Sequence, residues 1–315
     1  MLKIKKKNSS IDITAIILTY NEEKHIKRCI LSIKKFVKKI IIIDSFSTDK
    51  TLEIAKKFKV KIYKHKFINQ AKQINWVLKT KKFHTNWILR IDADEYLTKE
   101  LKKEVKKHIN TLNSNYDGIS FNRVIKFLNK EIHYGGTSPH KTLRIWKNKK
   151  GKSEDVWMDE QIIVKGKVLH INQSLIDENL NELKWWKNKH RNYALREAIN
   201  FYDNKKKNFY NKFEKKFNNV RKRKEFKEKI YYEFPIFLRP FLFFLYSLIF
   251  KLGIVSGWQG LVFYYNQALW FRLLVDINIF KLSKLIKEKN TLNEAIKSTN
   301  ISKKVFELLS RDKGI

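Results

Sequence analysis

Residues 86–97 read NWILRIDADEYL. Four apolar residues lead into three carboxylates, Asp92, Asp94 and Glu95, in a chain whose net charge is +37. The lead has the composition of a buried strand, so acids at its end ask for a reason. Two upstream stretches read the same way. IDITAIILTYNEE (11–23) ends in Asn21-Glu22-Glu23, and VKKIIIIDSFSTDKT (37–51) breaks at Asp44-Ser45. Between them EEKHIKRCILSIKKF places Ile26, Ile30 and Ile33 on one helical face. TLEIAKKF reads as a helix that Ser47 or Thr48 can cap. KVKIYKH is a short third strand, QAKQINWVL lies in a helix, and NWILRID is the fourth strand. Near-continuous apolar strands alternating with helices predict a parallel α/β sheet covered on both faces. In open sheets of that kind, ligands bind beyond the carboxyl ends of the strands, where the polar clusters lie.

Composition sets the outer bounds. The 315 residues suffice for one catalytic domain and an appendage. A hydrophobic share of 43% excludes global disorder. The single cysteine, Cys29, excludes an intramolecular disulfide and fits a reducing compartment. The positive charge points to an anionic membrane face or a nucleic acid; compositional bias, visible also in Asn and Ile, is the competing reading. Only 11 of 68 basic residues are arginine, whereas bidentate phosphate and base recognition favours arginine. No helix-turn-helix, RNP or zinc-ligand pattern occurs, so no nucleic-acid partner is expected.

The N-terminal MLKIKKKNSSIDITAIILTYNEE has basic residues before an apolar stretch. Asp12 interrupts that stretch and no small-residue cleavage site follows, so it reads as the first buried strand rather than a leader. No segment reaches 18 uninterrupted apolar residues, so no membrane span is expected. From about residue 116 the pattern loosens into strands and loops. Residues 203–230 hold 12 Lys/Arg against 4 Asp/Glu. Residues 231–280 are aromatic and aliphatic, with Arg239, Lys251 and Arg272 as punctuation. This pair of segments predicts helices lying in a membrane interface, or else a hydrophobic hairpin packed on the core or a second subunit. The expected organisation is 1–200 catalytic, 201–230 a basic helical linker, 231–280 membrane-associating helices and 281–315 a helical tail.

Side chains at i and i+2 of an extended strand share a face. Asp92 and Asp94 so placed offer hard oxygens to Mg²⁺ or Mn²⁺, with positions left for phosphate oxygens. A solvated loop acid is the alternative. SEDVWMDEQII (153–163) gathers Glu154, Asp155, Asp159 and Glu160, candidates for a general base or else a solvated acidic turn.

IILTYNEE, IIIDSFSTDKT and WILRIDADE together resemble the nucleotide-binding half of inverting GT-A glycosyltransferases of family 2. KHRNYALREA and the aromatic run 239–272 are similar to the C-terminal part of the bacterial subgroup that includes the lipopolysaccharide core β-1,4-glucosyltransferase. The resemblance covers most of residues 11–280. It implies a GT-A fold, a Rossmann-like sheet with helices on both faces, followed by a C-terminal amphipathic helical segment. It implies that Thr19, Asn21, Glu22, Asp44, Lys72 and Asp92 bind the nucleotide. Asp44 as a turn acid and Glu22 as a first-turn helix acid stay open. It implies a metal on Asp94 and Asp92, and a base at Glu160, with Asp159 the other choice because many members use an aspartate there. Arg144, His190 and Arg191 would contact an anionic acceptor, or form surface salt bridges. GIVSG (253–257) departs from the subgroup, which carries an acid before the final glycine.

The expectation is therefore an inverting glycosyltransferase, peripheral on the cytoplasmic face of the plasma membrane. It would move a sugar from a UDP-linked donor to a lipopolysaccharide, lipooligosaccharide or other surface-glycan acceptor. A polyprenyl-phosphate acceptor is the alternative within the same fold.

Overall fold

The computed structural model describes residues 10–111, 115–154, 160–210 and 230–289. The chain divides into two compact units, residues 1–181 and 182–315.

The first unit is built on one mixed sheet. Its strands are β1 (Ile11–Thr19), β2 (Val37–Asp44), β3 (Lys61–Lys64), β4 (Trp87–Asp92), β5 (Glu95–Leu97), β6 (Gly118–Phe127), β7 (Lys130–Ile132), β8 (His140–Lys147) and β11 (Val168–Asp177). The spatial order is β3-β2-β1-β4-β8-β6-β11-β5, with β7 beside β6. β3, β2, β1 and β4 run parallel, as the apolar runs predict. β8 then pairs antiparallel with β4, and β6 antiparallel with β8. β9 (Gly151–Ser153) and β10 (Ile162–Val164) form a separate ribbon.

Strand alternation sends the apolar side chains to two cores. Ile13, Ala15, Ile17, Ile42, Leu89 and Ile91 face helix α1 (Ile26–Ile33), whose Ile26, Ile30 and Ile33 are fully buried. Ile16, Ile41, Ile43 and Ile88 face helix α3 (Gln70–Thr80) through Ile74 and Val77. Two covered faces explain why β1 and β2 are apolar throughout rather than alternating. Helix α2 (Thr51–Lys56) starts without a Ser47 or Thr48 cap. Asp49 Oδ1 instead accepts from Thr51 N at 2.9 Å, which frees Ser47 for the turn before it. Helix α4 is Lys99–Thr111.

The second unit is helical: α5 (Leu183–Tyr210), α6 (Leu238–Leu245), α7 (Gly257–Tyr264) and α8 (Phe271–Lys289). Single π-helical turns follow α6 and α7, and a 3₁₀ turn precedes α7. The boundary falls before α5, earlier than residue 200. The reason is that α5 packs on α8: Arg272 pairs with Glu197, and Tyr202 Oη donates to Ile279 O at 3.0 Å. Arg239 and Asp276 form a buried bidentate pair. Among the described residues no single helix is long and apolar enough to cross a membrane. One bent pair, Leu238–Phe250 with Gly253–Lys289 at 73°, qualifies by length and composition alone. Asp159, Asp155, most of the basic segment and the tail from residue 290 lie outside the described residues.

Candidate active site

Register brings the polar clusters together. Thr19 stands opposite Asp44 across β1–β2, and Leu18 stands opposite Asp92 across β1–β4. Asp44 and Asp92 thus lie within one residue of level, two strand spacings or about 10 Å apart.

At the β2 end, Asp44 is fully buried. Its Oδ1 accepts from Thr19 Oγ1 at 2.9 Å and Ser47 Oγ at 2.6 Å, and its Oδ2 accepts from Ser47 N at 2.9 Å. Asp44 therefore holds its own turn, the plainer of its two sequence readings. The loops after β1 and β2 are laced to one another. Asn21, at φ 56°, accepts from Thr48 N at 2.8 Å and donates its own N–H to Ser47 Oγ at 2.9 Å. Glu22 N donates to Thr51 Oγ1 at 2.7 Å. Leu180 N donates to His25 Nε2, so His25 Nδ1 carries the proton and donates to Glu22 Oε2 at 2.6 Å. Lys72 lies in the first turn of α3, its N–H capped by Asn69 Oδ1. Its neighbour Gln73 donates to Ser45 Oγ, and Gln70 accepts from Arg90, so that turn sits between the ends of β2 and β4.

β4 ends at Asp92, and Ala93-Asp94 is a turn. The expectation that both aspartates share one strand face is corrected: the chain bends between them because Glu95 pulls the turn inward. Glu95 is fully buried, its Oε2 accepting from Asp92 N at 3.0 Å and its Oε1 facing Arg144 and Arg123. Arg28 of α1 donates to Asp94 O at 3.2 Å and pairs with Glu178.

Arg90 was not singled out by sequence reasoning. It is nearly buried on β4, and its Nη2 donates to Glu160 Oε1 at 2.7 Å and faces Asp92 Oδ1 at 3.5 Å. One guanidinium therefore joins Glu160 to Asp92. Arg144 is 6% exposed and donates to Asp92 Oδ2 at 3.1 Å. Sequence reasoning offered it as an acceptor contact; here it is a buried cation pairing Asp92 and Glu95. The ion pairs link Asp92, Glu95, Glu160 and Asp177 to Arg90, Arg123 and Arg144, four carboxylates against three guanidiniums. Burial works against charge on Asp92, but Arg144, Arg90 and Arg123 together outweigh it and hold that carboxyl well below the usual range. Burial raises Asp177 to about 7 against the pull of Arg123, with Asp94, Glu95 and Asp92 adding to the rise.

Asp94 is half-buried beside this network and enters no ion pair among the described residues. Asn179 Nδ2 lies 3.5 Å from its Oδ2. No three His, Cys, Asp or Glu side chains converge as a metal-holding group among the described residues. The donor set still fits a hard divalent cation. Such ions bind through one or two carboxylates plus substrate phosphates.

His190 and Arg191 belong to the second unit. His190 stacks on Trp186 with centroids 3.4 Å apart and has Phe271 and Tyr193 at its edges. Burial lowers its pKa to about 4. The ring is neutral near pH 7 and packs among aromatic side chains. Arg191 is exposed and donates to Asn188 Oδ1 at 2.7 Å.

Residues 14–169 match the model of Glycosyl transferase family 2. The matched stretch lies within the first unit, whose mixed sheet with flanking helices is GT-A-like. An "Uncharacterized glycosyltransferase" of Rickettsia bellii is 39% identical over 94 residues, 30% of this chain and 31% of the relative. The SPbeta prophage-derived glycosyltransferase SunS of Bacillus subtilis is 34% identical over 108 residues, 32% of this chain and 24% of the relative. The chain thus spans under a third of the length of these relatives. Among solved structures, S. aureus TarS 1-349 is 15% identical at TM-score 0.41, covering 89% of this chain and 92% of that one. Glucosyl-3-phosphoglycerate synthase from Mycobacterium tuberculosis, in complex with Mn²⁺, UDP and glucosyl-3-phosphoglycerate, is 18% identical at TM-score 0.30, covering 35% and 43%.

Proposed function

We propose that the chain transfers a sugar, with inversion, from a UDP-linked donor to a lipopolysaccharide or lipooligosaccharide core or another surface glycan. The observation that carries this is the meeting of Glu160 and Asp92 on Arg90, level with the laced loops after β1 and β2. In this reading Asp94 and Asp92 hold Mg²⁺ or Mn²⁺, which neutralises charge on the departing diphosphate. Thr19, Asn21, Glu22 and Lys72 line the nucleotide side, and Asp44 shapes that pocket from beneath. Glu160 takes the proton of the acceptor hydroxyl. Asp159 is the alternative base. Arg191 is the remaining acceptor contact. The protein works as a peripheral enzyme on the cytoplasmic face of the plasma membrane, held by its basic and aromatic segments.

Replacing Glu160 with Ala is expected to lower transfer roughly 10²–10⁴-fold while leaving UDP binding intact. Rate measurement beside UDP calorimetry separates the two. One observation favours a second reading: Glu160 is engaged by Arg90, which competes with its use as a base. A polyprenyl-phosphate acceptor needs no strong base, because a phosphate oxygen attacks. Retained activity in both Glu160→Ala and Asp159→Ala would favour that acceptor.

A further inference from the structure

We propose that residues 238–270 form an elbow whose apex enters one leaflet of an anionic bilayer to the depth of the headgroup–acyl boundary. This deepens the membrane placement above and is independent of the donor chemistry. The apex is apolar and open: Ile249, Phe250, Leu252, Ile254, Val255 and Trp258 are each more than half exposed, Phe250 at 74%. Contiguous exposed apolar surface of this kind marks an interaction site.

The elbow is preformed. A Cβ on Gly253 would lie 2.7 Å from Ser247 O, so the turn comes close against the first arm there, and one on Gly260 would lie 2.3 Å from Ser256 Cβ, which keeps the start of the second arm tight. Backbone groups at the bend are satisfied within it, as a lipid-facing turn requires: Lys251 N donates to Tyr246 O and Leu252 N to Ile249 O. The first arm, Leu238–Phe250, spans about 20 Å at 1.5 Å per residue, short of the roughly 30 Å hydrocarbon core. The chain then turns by 73° instead of continuing. Insertion is therefore one-sided and shallow. Tyr246, Tyr265 and Trp258 are exposed and suit the interface.

Charge decides the occupant. Within the elbow the one exposed charge is Lys251; exposed Lys281, Lys284 and Lys287 follow on α8, and exposed Glu233 and Glu288 flank the span 234–287. The one acid in that span, Asp276, is fully buried against Arg239. A second copy docking through the same face would set lysine against lysine. Anionic headgroups complement that rim, and Lys251 beside the apex reaches phosphate level by extending its stem.

The test is co-sedimentation of the full chain with vesicles of phosphatidylglycerol, and of phosphatidylcholine alone, at low and at molar NaCl. Phe250 and Ile254 are both changed to Glu in the comparison protein, whose fold is checked by circular dichroism. The parent should bind phosphatidylglycerol and resist the salt wash, because apolar burial is not screened. The double variant should lose about tenfold or more of its partitioning. A parallel readout needs only a conservative change: bromolipids should quench the parent's fluorescence more than that of Trp258→Phe. Equal partitioning of parent and variant, full release by salt, or equal quenching would each overturn the proposal. So would a lipid-free dimer that the double variant splits into monomers. UDP titration of the same preparations reports on the donor site separately.

Discussion

Arg90 carries more of the site than any residue that the sequence marked. It sits inside an apolar strand and its two acid partners lie 2 and 70 positions away. A single cation in a strand pattern looks the same whether it reaches water or a buried carboxylate, so only register and the returning chain reveal it. Replacing it by Met would leave Glu160 buried without its cation. Loss of one partner from such a pair costs roughly 3–5 kcal/mol, and the low end is expected because Asp92 keeps Arg144. Urea unfolding of Arg90→Met should show that loss, and adding Glu160→Gln should recover part of it. No recovery in the double variant would mean that the two side chains are not coupled. The three acids of the opening stretch divide their roles: Glu95 shapes the turn, Asp92 joins the arginines, and Asp94 stays out of the ion pairs.

Elements were legible where one periodicity ran unbroken. The isoleucine runs of β1 and β2 and the Ile26, Ile30, Ile33 face of α1 are in place because burial on both sides leaves no other composition stable. β5, β7, β9 and β10 have three residues each, too few to show a period. The cap of α2 was misplaced because Ser47 has a better partner in Asp44. Helix α5 carries its own test through His190. Folding holds that ring near about 4, below the ordinary 6.5, so the unfolded chain binds more protons between those values. The neutral ring's contribution is complete above about 6.5 and is lost as pH falls toward 4. Urea midpoints of the parent should therefore fall relative to His190→Gln across that window. A difference independent of pH would mean that the ring is not buried as described.

At the scale of the whole molecule, the apolar runs announced the four parallel strands, and the polar residues after them lie at the carboxyl ends of those strands. The mixed half was hidden because its strands mix polar and apolar residues and draw their partners from distant segments, β8 antiparallel with β4 and β11 parallel with β6. The second unit showed its composition but not its start, since α5 reads alike whether it packs on the sheet or on α8. The net charge of +37 bears on surfaces and partners, not on the fold. The most direct measurement is calorimetric titration of UDP, with and without Mn²⁺, into the full chain and into Asp94→Ala. A donor site built on Asp92 and Asp94 should give Mn²⁺-dependent binding that Asp94→Ala loses. UDP binding that is indifferent both to Mn²⁺ and to Asp94, or no binding of UDP, GDP, CMP or dTDP under any of these conditions, would contradict it.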